Sequence, residues 1–377
     1  MKAQTDSIKI CYIISNIDKA LAFEWIAEHL NAPPFELSFI LLNPGGSVLE
    51  EVLAKKKILF SRITYRGKKD LPNAIFRICR FLKSHRIQTI HCHLFDANVA
   101  GLIAGKLVGV KKRIFTRHHS TFHHQYFPRA VYYDRFINYL ATDIVAISEN
   151  VRRVLVEKEK ANPGKIALIH HGFDLEKFQN PDADKVQKLK ERYGTVGKYP
   201  VIGVIARYTE WKGLQYVIPA FAQLLGSQPD AKLLLANANG DYKPQIQHLL
   251  QQLPPGSYTE IPFEEDLYSL YGLFDIFVHV PVNPEIEAFG QTYVEALAAG
   301  VPSVFTLSGV AAEFVEDGKN AFVVPFQDSN AILRAVVHLL ASSELQETIR
   351  RNGLAIAQGF GLQKMMKELS NLYTHPQ

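Results

Sequence analysis

The sequence has too few cysteines to build a disulfide framework. The 377 residues include three cysteines, and each of them lies in an apolar stretch: Cys11, Cys79 and Cys92. Secreted domains that rely on disulfides carry far more cysteine for their length. We therefore expect a reducing, cytoplasmic location.

Long uninterrupted hydrophobic runs are also missing. The longest charge-free apolar stretch, residues 296–312, contains Gly300, Pro302 and Gly309, which favour a helix, a turn and a strand over a membrane span. The apolar residues 8–17 are followed by charged residues and no small-residue cleavage site, so we expect no secretory signal peptide.

Two ligand-binding signatures are absent. No Gly-x-Gly-x-x-Gly follows a predicted strand, so a nicotinamide or flavin enzyme would lack its phosphate-binding turn. No nucleic-acid-binding module is recognisable, and we expect no nucleic-acid partner.

Charge is distributed unevenly along the chain. Residues 1–180 carry a formal net charge of +11, and residues 181–377 carry −6. The basic half points to an anionic partner: a membrane surface, a lipid phosphate or a nucleic acid. Ordinary solvated helix faces would produce the same count, and the composition does not separate the two interpretations.

Predicted strands and helices alternate through most of the chain, which indicates an α/β protein with parallel sheets. Residues 179–197 are polar and contain proline, so they are interpreted as a linker. This divides the chain into a first Rossmann-like domain, residues 1–180, and a second, residues 198–360. A last helix, residues 361–377, is predicted to return to the first domain.

The most informative stretch runs from Glu287 to Pro302. Its helix formers end at Gly300, and Gly290 marks the expected helix start. We expect the free backbone N–H groups of residues 289–292 to form an anion site there. Glu287 precedes that helix, and Glu295 lies about one and a half turns inside it.

This stretch resembles the Glu-x7-Glu motif of retaining GT-B glycosyltransferases, specifically glycosyltransferase family 4. The resemblance implies two Rossmann-like domains that face each other across a central cleft. It implies that Glu287 faces the donor sugar, that Phe289, Gly290 and Gln291 face sugar and phosphate, and that Glu295 holds the ribose. In the family, an Arg and a Lys neutralise the nucleotide diphosphate, and Arg207 and Lys212 match them.

The first half resembles the family more loosely. Residues 116–121 resemble the loop whose histidine reaches toward donor sugar and acceptor; His118 matches best, with His119 as the alternative. The family's glycine-rich turns are altered at Asn16 and at Ala238. The aromatic and basic residues 126–139 could form an acceptor or membrane-facing surface, or an aromatic helix packed on the sheet.

Metal sites are the weaker interpretation of two residue groups. His91 and His93 share one face of a predicted strand but have no specified third ligand, and Asp182 and Asp184 lie in the polar linker. We therefore expect no metal and no bound cofactor.

The expected activity is retaining, metal-independent sugar transfer from a nucleoside diphosphate sugar, UDP or GDP type unresolved, to a carbohydrate or lipid-linked acceptor. Polysaccharide or glycolipid synthesis at the inner face of a membrane would suit it. The alternatives are a sugar phosphorylase, a nucleotide-sugar epimerase, or a non-catalytic nucleotide-sugar-binding protein.

Overall fold

The computed structural model describes residues 7–375. It divides into two compact units. The first comprises the chain up to Gly172 together with the residues from Gln363 onward, and the second comprises Phe173–Leu362.

The first unit is built on a parallel sheet. Its strands are β1 (Ile8–Ser15), β2 (Phe35–Asn43), β3 (Leu59–Thr64), β4 (Thr89–His93), β5 (Lys112–Arg117), β6 (Asp143–Ala146) and β7 (Ile166–Leu168). They lie in the order β3-β2-β1-β4-β5-β6-β7, and every neighbouring pair is parallel. Most central strand residues are buried because helices cover both faces of such a sheet.

The helices of this unit begin with α1 (Leu21–His29), α2 (Val48–Lys55), α3 (Leu71–Ser84), α4 (Phe95–Leu107), α5 (Phe122–Tyr126), α6 (Ala130–Leu140) and α7 (Glu149–Arg153). Ser148 caps α7, and its hydroxyl accepts a hydrogen bond from the Val151 amide at 3.1 Å.

The second unit repeats the same plan. Its strands are β8 (Val201–Ile205), β9 (Lys232–Ala236), β10 (Tyr258–Ile261), β11 (Ile276–His279), β12 (Ser303–Phe305) and β13 (Phe322–Val323). Their order is β10-β9-β8-β11-β12-β13, again with parallel neighbours. In each unit the strand order reverses beside the first strand, as in Rossmann-like folds.

The remaining helices are α8 (Leu175–Gln179), α9 (Ala183–Arg192), α10 (Leu214–Leu224), α11 (Lys243–Leu250), α12 (Leu267–Tyr271), α13 (Gln291–Ala298), α14 (Ala311–Phe314), α15 (Ser329–Leu340), α16 (Ser343–Ala357) and α17 (Leu362–Thr374). Throughout residues 7–375, each helix is too short or too polar to traverse a lipid bilayer.

The predicted linker is wrong in one respect. Residues 183–192 form α9 within the second unit, and the chain passes between the units at Gly172 instead. The Asp182 carboxylate accepts hydrogen bonds from the backbone amides of Asp184 and Lys185 and so caps this helix. Leu189 is its one fully buried side chain, which explains why the stretch resembles a polar linker.

Helix α17 is held to the first unit by polar contacts. The Lys112 ammonium donates to the carbonyls of Leu372 and His375, and the Tyr373 hydroxyl contacts Tyr12 and His91. Residues 376 and 377, the end of the predicted helix, lie outside the described range.

Candidate functional site

In the second unit, two neighbouring strands bring Glu287 and Lys212 together. Lys212 lies in the turn after β8, and Glu287 lies in the loop after β11, which pairs with β8. The Lys212 ammonium forms an ion pair with the Glu287 carboxylate. His279, the last residue of β11, places its Nε2 3.5 Å from Glu287 Oε1. The carboxyl edge of the sheet thus gathers charges that are 75 residues apart in sequence.

The charges in this group fix the ionisation of Glu287. Burial alone would raise the pKa of the Glu287 carboxyl, but the Lys212 ammonium and His279 outweigh it and lower that pKa to about 2. Burial lowers the pKa of His279, which favours a neutral imidazole. Glu287 is therefore a carboxylate at neutral pH, and Lys212 has N–H donors beyond the one it directs at Glu287.

The helix start predicted at Gly290 is confirmed. Gly290 has φ = 84°, and α13 begins at Gln291, which is exposed. The first N–H groups of a helix have no partner inside it, so this end suits an anion. The Phe289 side chain is buried and stacks on Phe173 at a centroid distance of 6.2 Å. Phe289 thus anchors the loop through its ring.

Glu295 lies on the buried side of α13. Its Oε2 accepts a hydrogen bond from the Tyr271 hydroxyl at 2.9 Å. Burial raises the pKa of the Glu295 carboxyl to about 7, although the Tyr271 hydrogen bond partly opposes that shift. The pKa values of the two glutamates of the motif therefore shift in opposite directions, since only Glu287 has a cation beside it.

The loop after β12, which the motif analysis did not include, supports Glu287. The Ser308 hydroxyl accepts a hydrogen bond from the Glu287 amide at 3.3 Å. Gly309 has φ = 59°, and a Cβ there would lie 2.6 Å from the Phe289 carbonyl oxygen and 2.8 Å from Glu287 Cβ. Only glycine fits this approach without displacement. A glycine after a predicted strand was the one available sequence signal.

Arg207 and Lys212 occupy different surroundings. Arg207 is exposed and makes no ion pair with any residue from 7 to 375, whereas Lys212 is bound to Glu287. The chain directly after Lys212 is packed tightly, because a Cβ on Gly213 would lie 1.9 Å from the Val280 carbonyl oxygen. The structure brings Lys212 to Glu287 and leaves Arg207 facing solvent.

In both turns that lack the family's glycines, an asparagine takes the left-handed backbone conformation. Asn16, after β1, has φ = 51°, and Asn237, after β9, has φ = 60°. Asparagine tolerates this left-handed region better than other non-glycine residues. Gly240 remains where a Cβ would lie 2.1 Å from the Tyr208 carbonyl oxygen, and Ala238 is fully buried. The altered turns therefore keep a backbone conformation that glycine would adopt.

In the first unit, three histidines meet at the carboxyl edge of the sheet. His93 ends β4 and His118 follows the adjacent β5; His93 Nδ1 lies 3.0 Å from His118 Nε2. The His171 ring stacks on His118 at 5.8 Å. Burial lowers the pKa of His118 to about 4 and that of His171 to about 3, so both imidazoles are neutral at pH 7.

His119 belongs to a separate buried charge network. Its Nε2 lies 3.4 Å from Asp134, whose carboxylate also pairs with Arg117 and, at 2.7 Å, with His123. Arg117 extends the network to Glu159. His119, His123 and Asp134 form the one group within residues 7–375 that could hold a metal ion. The Arg117 guanidinium already neutralises that carboxylate, which disfavours a cation there.

The weaker metal interpretation of β4 does not fit the contacts of His91. Both of its ring nitrogens have hydrogen-bond partners, the Tyr373 hydroxyl at 2.6 Å and the Thr116 hydroxyl at 2.8 Å. Asp182, the other weak candidate, caps α9. The structure thus assigns both residues to local stability.

Two models of known families match the chain. "Glycosyltransferase Family 4" matches residues 25–177, and "Glycosyl transferases group 1" matches residues 185–355. Together they span most of both units.

Curated relatives match over part of their own lengths. The capsular polysaccharide biosynthesis glycosyltransferase CapM of Staphylococcus aureus is 28% identical over 64% of this chain and 63% of its own length. The GDP-mannose-dependent alpha-(1-6)-phosphatidylinositol monomannoside mannosyltransferase of Mycolicibacterium smegmatis is 34% identical over 47% of this chain and 48% of its own. The match thus spans less than two thirds of either relative.

Among solved structures, HepE of Anabaena in complex with UDP-glucose superposes with a TM-score of 0.83. It is 20% identical in sequence, and the alignment covers 97% of this chain and all of HepE. This likeness confirms the expected fold class, the GT-B architecture of two Rossmann-like domains.

Proposed function

The chain belongs to glycosyltransferase family 4, and from that premise we propose that it transfers a sugar from a nucleoside diphosphate sugar to an acceptor hydroxyl, with retention of the anomeric configuration. The second unit would bind the donor, and the first would bind the acceptor.

The observation that carries the proposal is the Lys212–Glu287 pair beside the start of α13. When the bond between sugar and diphosphate breaks, negative charge grows on the departing phosphate. Lys212, Arg207 and the helix start would stabilise that charge without a metal. Glu287, ionised and fixed by Lys212, would orient the donor sugar by accepting its hydroxyl hydrogens.

Glu295 would accept hydrogen bonds from the ribose hydroxyls. On the acceptor side, His118 would contact the sugar and position the attacking hydroxyl; its contact with His93 holds the ring, whereas His119 is committed to Asp134. In the scheme that the family resemblance favours, the acceptor hydroxyl attacks the face from which the diphosphate departs. A departing phosphate oxygen would then take the acceptor's proton as the new glycosidic bond forms and the bond to the diphosphate breaks. No covalent nucleophile is needed in this scheme.

The relatives support the substrate classes without fixing them. HepE was solved with UDP-glucose, whereas the Mycolicibacterium smegmatis relative is named for GDP-mannose and a phosphatidylinositol mannoside. The Staphylococcus aureus relative is named for capsular polysaccharide. The proposed process is therefore polysaccharide or glycolipid synthesis, with a UDP or GDP sugar as donor.

Titration calorimetry with UDP, GDP and their sugars tests donor binding, and product analysis with each acceptor class tests transfer. Arg207→Ala and Lys212→Ala should each weaken nucleoside diphosphate binding by about tenfold or more, since hydrogen bonds to charged groups contribute about 1.5–3 kcal/mol. Lys319→Ala, which removes only an exposed pair with Glu316, is the matched control. Unchanged nucleotide affinity in both site variants would remove these residues from the site.

The same assays separate the alternatives. An epimerase would convert the nucleotide sugar without an acceptor, and a phosphorylase would require inorganic phosphate. A non-catalytic protein would bind the donor without turnover. The left-handed conformations of Asn16 and Asn237 weaken that last alternative, because the altered turns were its only support.

A further inference from the structure

A cavity lies in the first unit. Its volume is about 700 Å³, within the range of sites for small organic ligands. It opens beside the ends of β3 and β4, and its apolar walls are formed by Tyr65, Leu71, Phe95, Val99, Phe127 and Tyr133. These residues come from three separate parts of the chain, so the cavity is a product of the tertiary fold.

The polar groups of this cavity are few, and two of them, Tyr65 and Asp96, are hydrogen-bonded to each other. Asp96 accepts hydrogen bonds from the Tyr65 hydroxyl at 3.2 Å and from Asn16 Nδ2 at 3.4 Å. A polyhydroxylated sugar needs many donors and acceptors around it, and these walls do not provide them. The two cations of the lining, Lys68 and Arg129, are exposed. The cavity is therefore apolar inside and positively charged where it meets solvent.

The cavity also borders an exposed aromatic surface. Phe127 and Tyr133, which line the cavity, are 55% and 52% exposed. Tyr132 and Tyr139, which lie on α6 with Tyr133, are 73% and 77% exposed. The structure thus disagrees with an aromatic helix fully packed on the sheet. Large exposed aromatic groups next to cations are typical of surfaces that meet amphiphilic partners.

We propose that this cavity binds the hydrocarbon part of an amphiphilic acceptor whose anionic head is neutralised by Lys68 and Arg129. The role as acceptor rests on the proposed function; the binding of the amphiphile does not. Of the two acceptor classes considered above, this one is the lipid-linked class. The cavity walls supply apolar contact, and the two cations supply selectivity for phosphate over a neutral head.

Decyl phosphate, used below its micelle concentration, is the probe for calorimetry on the full chain. We expect it to bind at least tenfold more tightly than either inorganic phosphate or decyl glucoside. Ala130→Trp, which fills the cavity from its wall, should weaken decyl phosphate binding at least tenfold. Ala54→Trp, on an exposed face of α2, should change it less than twofold.

Two further variants test the apolar wall and the two cations separately. Phe127→Ala should weaken decyl phosphate binding by removing apolar contact, without placing a larger side chain inside the fold. The double variant Lys68→Ala with Arg129→Ala should bind decyl phosphate no more tightly than decyl glucoside. Equal binding of decyl phosphate to the wild type and the Ala130→Trp and Phe127→Ala variants would overturn the proposal. Binding of inorganic phosphate as tight as that of decyl phosphate would also overturn it.

UDP and GDP titrations on the same proteins distinguish the two hypotheses. Ala130→Trp should leave nucleotide affinity unchanged, since the cavity belongs to the first unit and the donor site to the second. If the wild type binds neither UDP nor GDP, the proposed function is wrong. Decyl phosphate binding in the cavity would still be tested by its own variants.

Discussion

Replacing Glu295 with glutamine should flatten the pH dependence of the second unit's stability. The substitution keeps an oxygen that can accept the Tyr271 hydrogen bond but removes the ionisable group. Burial raises the pKa of the Glu295 carboxyl to about 7 from the ordinary value of 4.5. At 1.36 kcal/mol per pKa unit, this difference corresponds to about 3 kcal/mol between the charged and neutral forms.

The direction in which the free energy of unfolding changes with pH follows from which state, folded or unfolded, holds the Glu295 proton. Below pH 4.5 the Glu295 carboxyl is protonated in both the folded and the unfolded chain, and it imposes no penalty. Between pH 4.5 and 7 the unfolded chain releases its proton while the folded chain keeps it, so the free energy of unfolding falls as pH rises. Above pH 7 the Glu295 carboxyl is ionised in both states, and the free energy of unfolding falls no further on its account. Glu295→Gln should therefore match the wild type at pH 4.5 and exceed it by about 3 kcal/mol at pH 8.

Urea denaturation followed by tryptophan fluorescence provides the assay. The chain has two tryptophans, and Trp211 lies in the second unit, so a Trp25→Phe background reports on that unit alone. This separation matters because the units need not unfold together. The quantity of interest is the difference between variant and wild type at each pH, which cancels the other titrating groups.

Glu344→Gln serves as the control because Glu344 is exposed on α16 of the same unit. It should shift stability by less than about 0.5 kcal/mol at every pH, as exposed substitutions do. A Glu295→Gln difference that stays constant from pH 4.5 to pH 8 would refute the assignment of a buried, proton-holding carboxyl.

The remaining predictions concern the loop glycine, metal ions and membranes. Gly309→Ala should destabilise the second unit by about 1–3 kcal/mol more than Gly318→Ala, because both glycines have left-handed φ but only Gly309 would clash; urea denaturation measures both. Turnover should survive EDTA, since Lys212, Arg207 and the start of α13 supply the positive field; complete loss, restored by Mg²⁺, Mn²⁺ or Zn²⁺, would revive the His119–His123–Asp134 group. Sedimentation should show binding to anionic vesicles that weakens with salt, and Lys68→Ala with Lys69→Ala should reduce it, because each cation near an anionic surface contributes about 1 kcal/mol.

The vesicle prediction depends on which cations the fold exposes. Lys111, Lys112 and Arg113 form an equally basic cluster in the sequence. Lys112, however, is buried beneath α17, and the Arg113 guanidinium donates to the carbonyls of Leu140 and Val110. Lys111→Ala is therefore the comparison variant, with a small expected effect. Vesicle binding that ignores both lipid charge and salt would contradict the electrostatic account.

Local sequence determined the architecture and much of the donor motif. Alternating apolar segments and helix formers predicted parallel α/β units, because strands buried on both faces must be apolar along their length. Gly290 and Gly300 bounded α13 correctly, since chain conformation at a helix end depends on the residues at that end. The basic character of residues 1–180 was likewise a matter of counting.

Polar helices and short strands were harder to recognise. Helix α9 was interpreted as a linker because its one buried side chain leaves little periodicity in the sequence. Helix α11, with two buried side chains, and strand β10, with four residues, have equally weak periodicity. Their formation depends on partners supplied by the rest of the second unit.

Tertiary structure alone decided which charges meet. Lys212 reaches Glu287 because β8 and β11 are neighbours in a sheet whose order differs from the order of the chain. The same rule separates His118, which meets His93 on the adjacent strand, from His119, which turns to Asp134. The ionisation of Glu287 and Glu295 follows from burial and neighbouring cations. The distances between charges, their burial and the electrostatic field around them are properties of the folded chain. They cannot be read from residue identity and spacing alone.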